Sequence, residues 1–277
     1  MNIFKNTYSI LLILWLTFLG CDNGKKTVEN INTNLQKADW SSFQEILDIG
    51  IVTNPYTGTY GNFNHNAFDY EKLLNHKSYK ILVDKQIKNL SLAKAPEERK
   101  AKLAFWINAY NFFTIVDVCS SYPIKSMKDI GWKNTIHQVG NTKFSLDHIE
   151  HSILRLMNEP KIHFALNCAS VSCPSLFNKV FKEDSIIDDL TKLTEDAFKN
   201  PLHIQNNGNG VNVTKLMDWF EKDFVIAPYN STTRFVEAYS PEELRKPVTD
   251  YIDYDWDLNS PTNISNAMKK LNIQKEK

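Results

Sequence analysis

The chain has 277 residues, 42% hydrophobic and 23% charged, with 32 basic and 32 acidic side chains. That length and apolar content suit one large globular domain or two small ones. The zero net charge removes the electrostatic drive by which nucleic-acid binders neutralise phosphates, so nucleic acid is set aside as a partner.

At the N-terminus, Lys5 precedes an apolar run from Ile10 to Leu19, which ends in Phe18-Leu-Gly-Cys21. A short basic region, a short apolar core and a small residue together read as a secretory signal. Gly20 before Cys21 resembles the lipobox of bacterial lipoproteins, which implies cleavage before Cys21 and a lipid on it. The rival reading is an uncleaved membrane anchor. Residues 1–20 are therefore expected to be a signal peptide and residues 21–34 a polar, flexible tether. Residues 35–277 are expected to be a single globular domain. A lipid through Cys21 would place that domain in the cell envelope, on the periplasmic or surface side of the membrane, where disulfides persist.

In the mature chain, Trp40 to Ile51 has helical spacing with Ser41 and Ser42 as caps. Asn54 to Asn66 reads as a long loop, rich in Gly, Asn and aromatics. Phe68 to Leu90 is amphipathic and predicts one or two helices. Pro96, Glu97 and Glu98 suit a helix start. The helix that follows, through Leu103 to Val116, is apolar nearly all round and should be central and buried. Ile136 to Val139 and Thr142 to Phe144, joined by Gly140-Asn141, predict a hairpin. Ser145 can cap a helix from Leu146 to Met157.

Lys161 to Asn167 reads as a strand leading into a cysteine loop. Glu183 to Phe198 predicts an amphipathic helix, and Asn206 to Gly210 a turn. Val213 to Phe224 predicts a helix with Leu216, Trp219 and Phe220 facing inward. Pro241 starts a short helix that Pro247 ends. Tyr254 to Asn259 reads as an extended tail packed back on the core. The balance is an α+β class: helix-rich, with a small sheet and a buried central helix.

Chemistry concentrates in His163-Phe-Ala-Leu-Asn-Cys-Ala-Ser-Val-Ser-Cys-Pro174. Strand alternation puts Cys168 with Phe164 and Leu166 on an apolar face, which favours a buried, structural cysteine. Pro174 suits the first position of a helix, which would make Cys173 its cap residue and lower its pKa. Cys173 is therefore the candidate nucleophile, and a Cys168–Cys173 disulfide the structural alternative. His151 and His163 are the candidate bases, with His148 sharing the face of His151 and Arg155 one turn beyond. His148 and His151 lack a third obvious ligand, so neither metal nor cofactor is expected. Asn108 and Asn111 sit three apart on the apolar helix. The bland reading is structural bonding; the sharper one has Asn108 orient a histidine or bond an oxyanion. Asn111, Asn167, His148 and Arg155 are carried as binding residues.

Five motifs occur in order: Phe105-Trp-Ile-Asn-Ala-Tyr-Asn111, Leu146 to Arg155, Ile162 to Pro174, the Lys215 to Phe224 segment and Tyr254-Asp-Trp-Asp-Leu-Asn259. Together, over about residues 65–259, they resemble the domain of unknown function 547 family. Ala169 stands where that family more often has glycine, and Asp257 where many relatives have serine. The resemblance implies a shared fold and a shared site, and brings no reaction with it. The expected function is a lipid-anchored envelope protein with a thiol-dependent site, a hydrolase or acyl-transferase for peptide or amide substrates. The competing class is a non-enzymatic binding or scaffold module with a structural disulfide. Its ligand would be an unidentified small molecule or peptide.

Overall fold

A computed structural model describes residues 36–275, so the expected signal peptide, the lipidation cysteine Cys21 and the tether all lie outside the described residues. The fold is helix-rich α+β, as expected. It is organised around α4 (Arg99–Ser121), in which every residue from Leu103 to Cys119 is buried. Pro96 lies outside this helix; the Glu98 side chain caps it by accepting the Ala101 amide at 2.9 Å.

Ahead of α4 come α1 (Ser41–Gly50), β1 (Ile51–Val52), β2 (Pro55–Gly58), β3 (Gly61–Asn64), β4 (Ala67–Phe68), α2 (Tyr70–Leu74) and α3 (Tyr79–Ser91). Residues 54–66, expected as a loop, contain the β2–β3 hairpin, with Tyr56 opposite Phe63. These two rings stack at 5.7 Å. Gly61 takes φ +110°, which lets the chain reverse. The aromatic pair across the ladder outweighs the turn-like composition that suggested a loop.

After α4 the expected hairpin forms, from β5 (His137–Val139) and β6 (Thr142–Phe144). Ser145 then caps α5 (Leu146–His148) by accepting the His148 amide. The single helix expected to Met157 is instead α5, a wide π turn over Ile149–Leu154 and a 3₁₀ turn over Arg155–Met157. The expected strand at 161–167 is absent. Pro160–Phe164 is a 3₁₀ turn capped by Glu159 with proline in its first turn. Phe164 and Leu166 do not share a strand face: Phe164 joins the C-terminal core, and Leu166 the main core around α4. The run is apolar because two cores flank it.

The rest comprises α6 (Ile186–Ala197), β7 (Ile204–Asn206), β8 (Val211–Thr214), α7 (Leu216–Trp219), α8 (Glu221–Phe224), α9 (Thr232–Tyr239), β9 (Val248–Ile252), α10 (Pro261–Lys270) and β10 (Gln274–Lys275). β8 pairs antiparallel with β7 and parallel with β9, with α7 to α9 forming the crossover. The helix expected over 213–224 therefore begins as a strand and breaks at Phe220. Trp219, expected inside, is 44% exposed. The Tyr254–Asn259 tail does pack back: Leu258 bridges to Ser170, and Leu258 and Asn259 are buried.

Candidate functional site

The cysteine loop is held by amide side chains. Asn111 donates to the Ala165 carbonyl and accepts the Asn167 amide, both at 2.9 Å. Asn167 in turn donates to the Pro174 carbonyl at 2.8 Å and accepts the Ala169 amide at 2.9 Å. Asn259 donates to Asn167 Oδ1 at 3.1 Å, and the Tyr70 hydroxyl donates to Asn259. A helix, the loop and the tail are thus joined through buried amides, each with its polar atoms paired. Ala169 sits within this lattice at φ +62°, a region that favours glycine.

This scaffold places Cys168 and Cys173 together with their sulfurs 2.8 Å apart, and both are free thiols. Cys168 is partly exposed and Cys173 is 3% exposed. Cys168 Sγ is also 3.1 Å from both the Ser170 and the Tyr254 hydroxyls. Burial pushes its pKa up, but hydrogen bonds from Cys173, Ser170 and Tyr254 outweigh that and bring the thiol below its ordinary value. Cys173 goes the other way: burial and the adjoining Cys168 sulfur hold its proton on. No helix begins at Pro174, so the reason for expecting a depressed Cys173 pKa disappears. The polarity of the pair is the reverse of the expected one. The lowered thiol pKa falls on Cys168 and the raised one on Cys173.

The pair lies in a cleft of about 200 Å³. Its walls are aromatic: Tyr110, Trp132, Trp219, Phe220, Tyr254 and Trp256. Trp219 and Trp256 stack at 5.4 Å, and Tyr254 meets them at 4.9 and 4.5 Å. The exposed Trp219 is therefore part of the cleft mouth rather than a stray surface residue.

The π turn brings Glu150 and His151 to the same cleft. One extra residue per turn rotates successive side chains away from helical register, a device common at functional sites. Glu150 accepts the Tyr110 hydroxyl at 3.1 Å. Burial raises its pKa to about 7; Tyr110 opposes the rise, and the charge of Cys168 adds to it. His151 Nδ1 lies 3.0 Å from Arg155 Nη1, and a guanidinium can only donate, so Nδ1 is the unprotonated nitrogen. Its Nε2 faces Asp147 at 3.6 Å. Both nitrogens are engaged, and burial lowers the pKa of the ring.

His163 lines the cleft from beneath, stacked on Phe220 at 4.2 Å. Its Nε2 is 2.8 Å from Asp223 Oδ2, and Arg155 grips the same carboxylate at 2.6 and 3.0 Å. Asp223 stays ionised; burial works against this, but His163 and Arg155 bring its pKa to about 2. The His163 proton is therefore on Nε2, leaving Nδ1 with the lone pair. Burial lowers the pKa of His163 more than Asp223 raises it. The partners of the two sulfurs are each other, Ser170, Tyr254, the Cys168 amide and the Leu166 carbonyl; no histidine is among them.

Of the residues expected in the site, Cys173, His151 and His163 line the cleft. Arg155 stands behind it on Asp223, and Asn111 and Asn167 hold the loop that carries the cysteines. Asn108 is elsewhere: it is saturated by the amide and carbonyl of Phe181, both at 2.9 Å, and matches the structural reading. His148 is exposed and packs edge-on against Phe144. The sequence reading missed Glu150, Asp223, Tyr254 and the tryptophans. Glu150 lay inside a quoted motif, but helical periodicity does not turn it towards the cleft. Among the described residues, no three His, Cys, Asp or Glu side chains form a metal-binding group.

The fold and site together define an α+β protein with a thiol-bearing, aromatic cleft. Residues 95–196 match the family described as "Protein of unknown function, DUF547". The match runs from the approach to α4 through most of α6, and so includes Tyr110, Glu150, His163 and both loop cysteines. Asp223, Trp219 and the Tyr254 tail lie beyond it. No curated protein and no solved structure matches the chain.

Proposed function

We propose that this chain is a thiol-dependent acyl-transfer enzyme acting on amide or peptide carbonyls, with Cys168 as nucleophile. A lipid on Cys21 would hold it at the membrane of the cell envelope. The observation that carries this reading is the Cys168 sulfur itself. It is partly exposed at the base of a cleft and surrounded by three hydrogen-bonding groups, Cys173, Ser170 and Tyr254. A thiol so placed holds its proton less tightly than an ordinary cysteine and needs no histidine in contact to activate it.

The Cys168 thiolate adds to the carbonyl carbon, and the carbon–nitrogen bond then breaks. The departing amine takes the proton of the Glu150 carboxyl. Water or a second amine attacks the resulting thioester, Glu150 recovers a proton from it, and the sulfur leaves as thiolate. Glu150 is assigned the acid–base role because the charge of Cys168 acts on its carboxyl and because its pKa of about 7 lets it hold or release a proton near neutrality. His163, fixed by Asp223, orients the cleft wall through Phe220.

The test is intact-mass analysis during incubation with a panel of acyl and peptidyl p-nitroanilides. An acyl adduct on Cys168, with release of p-nitroaniline, is expected. Both should vanish in Cys168→Ser. Turnover that persists in that variant overturns the assignment.

The 2.8 Å separation of the sulfurs favours one rival, a non-enzymatic module with a Cys168–Cys173 disulfide. Protein isolated without reductant would then carry no iodoacetamide-reactive thiol at Cys168 until reduced.

A further inference from the structure

We infer that the cleft takes a cationic amine, a primary ammonium on a short alkyl chain such as a lysine side chain or a diamine, seated between Glu150 and the aromatic walls. This deepens the reading of the cleft as a substrate site and names the class of the acceptor.

Charge is the first argument. The lining contains Asp147 and Glu150 but no lysine or arginine. Asp147 already faces Lys133 and His151, each at 3.6 Å. Glu150 is bonded by the Tyr110 hydroxyl, and the one cation whose charge reaches it, Arg155, is already paired with Asp223. With Cys168 ionised, two like charges share a small, partly desolvated space, where repulsion is stronger than in water. A bound cation relieves that repulsion, and a bound carboxylate would worsen it.

The walls are the second argument. Indole and phenol faces attract cations. One face here already does so: Lys128 Nζ stands 4.8 Å from the Trp256 ring centroid. Trp219, Tyr254 and Trp132 offer further rings around the same opening. A volume of about 200 Å³ holds one narrow chain rather than a drug-sized ligand, whose pockets run from about 300 Å³ upward.

The chemistry closes with the proposed reaction. An ammonium is not a nucleophile until it loses a proton. Ionised Glu150 accepts that proton, and the free amine attacks the thioester on Cys168. Glu150 passes that proton to water; the nitrogen–carbonyl bond forms, the nitrogen gives its second proton to Glu150 as the carbon–sulfur bond breaks, and the sulfur leaves as thiolate.

Binding is measured by tryptophan fluorescence and calorimetry at pH 8, where Glu150 is ionised. The probes are cadaverine, n-pentanol and valerate. Cadaverine should quench and bind, with pentanol and valerate at least about tenfold weaker, a difference of roughly 1.4 kcal/mol. Glu150→Gln should weaken cadaverine about tenfold or more, and Trp219→Ala, at an exposed ring, should weaken it without affecting folding. Pentanol binding as tightly as cadaverine, or an unchanged affinity in Glu150→Gln, overturns the inference. The readout needs no turnover, so a failure of Cys168 as nucleophile leaves this result standing and is seen separately.

Discussion

Cys168 and Cys173 share a sulfur–sulfur contact of 2.8 Å, yet their environments push the two protons in opposite directions. Cys173 accepts the Cys168 amide and can donate its thiol proton to the Cys168 sulfur. A buried thiol that keeps its proton is a hydrogen-bond donor to its neighbour, and so stabilises the neighbour as thiolate. Among the described cysteines, native, reduced protein should therefore show one fast iodoacetamide reaction, at Cys168, with a pH midpoint below that of a free thiol. Cys173 and Cys119 should react only on unfolding, since burial raises the Cys119 pKa to about 12. Peptide mapping of the labelled protein checks this. Faster labelling of Cys173 would reverse the assignment.

Glu150 links the cleft to stability. Its pKa is raised from 4.5 to about 7 in the fold, so the native state holds a proton that the unfolded chain releases. The associated stabilisation is complete below about pH 4.5 and is lost as pH rises through about 7. Glu150→Gln removes this dependence. Urea unfolding should find the variant more stable than the parent at pH 8 by on the order of 2 kcal/mol, with the gap shrinking towards pH 4. A gap that does not narrow at low pH would show that Glu150 is not perturbed in this way.

The helices were largely legible because burial imposes periodicity, and α4, α6 and the hairpin after α4 lie where the pattern placed them. The cysteine loop was also legible as a site from its composition. Its geometry was not. Apolar residues at 162–166 looked like a strand because two separate cores consume them, and no local pattern records that division. Trp219 reads as inward when one helical phase is carried across Phe220, where the helix breaks. Glu150 was missed for a related reason: the π turn changes the angle between neighbours, and a motif read at 3.6 residues per turn points that carboxyl elsewhere. Asp223 and Tyr254 are 60 and 86 residues from their partners, beyond any local pattern.

Asn108 and Asn111 look alike in sequence and should separate in experiment. Each alanine variant leaves a buried amide and carbonyl unpaired, and should lose about 2–4 kcal/mol in urea unfolding. Only Asn111→Ala loosens the segment that carries Cys168, so only it should change the alkylation rate of that thiol in the folded state. Equal effects of the two variants on that rate would mean that the loop is not held through Asn111.

The Cys21 reading is tested in cells. A fatty-acid label should enter the wild-type protein, and Cys21→Ser should leave the protein unlabelled and larger by its uncleaved signal peptide. Labelling that survives the substitution would remove the lipid anchor from the proposal.

Ala169 is the position where competing terms can be weighed. At φ +62° it carries strain of about 1–2 kcal/mol that glycine would not. Against that, Ala169 is 1% exposed, and removing its methyl forfeits about 0.8 kcal/mol of burial. Glycine also gives the unfolded chain extra freedom, worth about 0.4–1 kcal/mol. The terms nearly cancel, which accounts physically for alanine being tolerated at this left-handed position. Ala169→Gly should accordingly stay within about 1 kcal/mol of the parent by those same terms. Ala169→Val combines a branched side chain with positive φ in a filled space, and should lose at least about 2 kcal/mol and slow Cys168 alkylation. Urea midpoints of the two variants decide it. A well-tolerated valine would mean that the loop relaxes out of the left-handed conformation, and that the Cys168 environment does not depend on it.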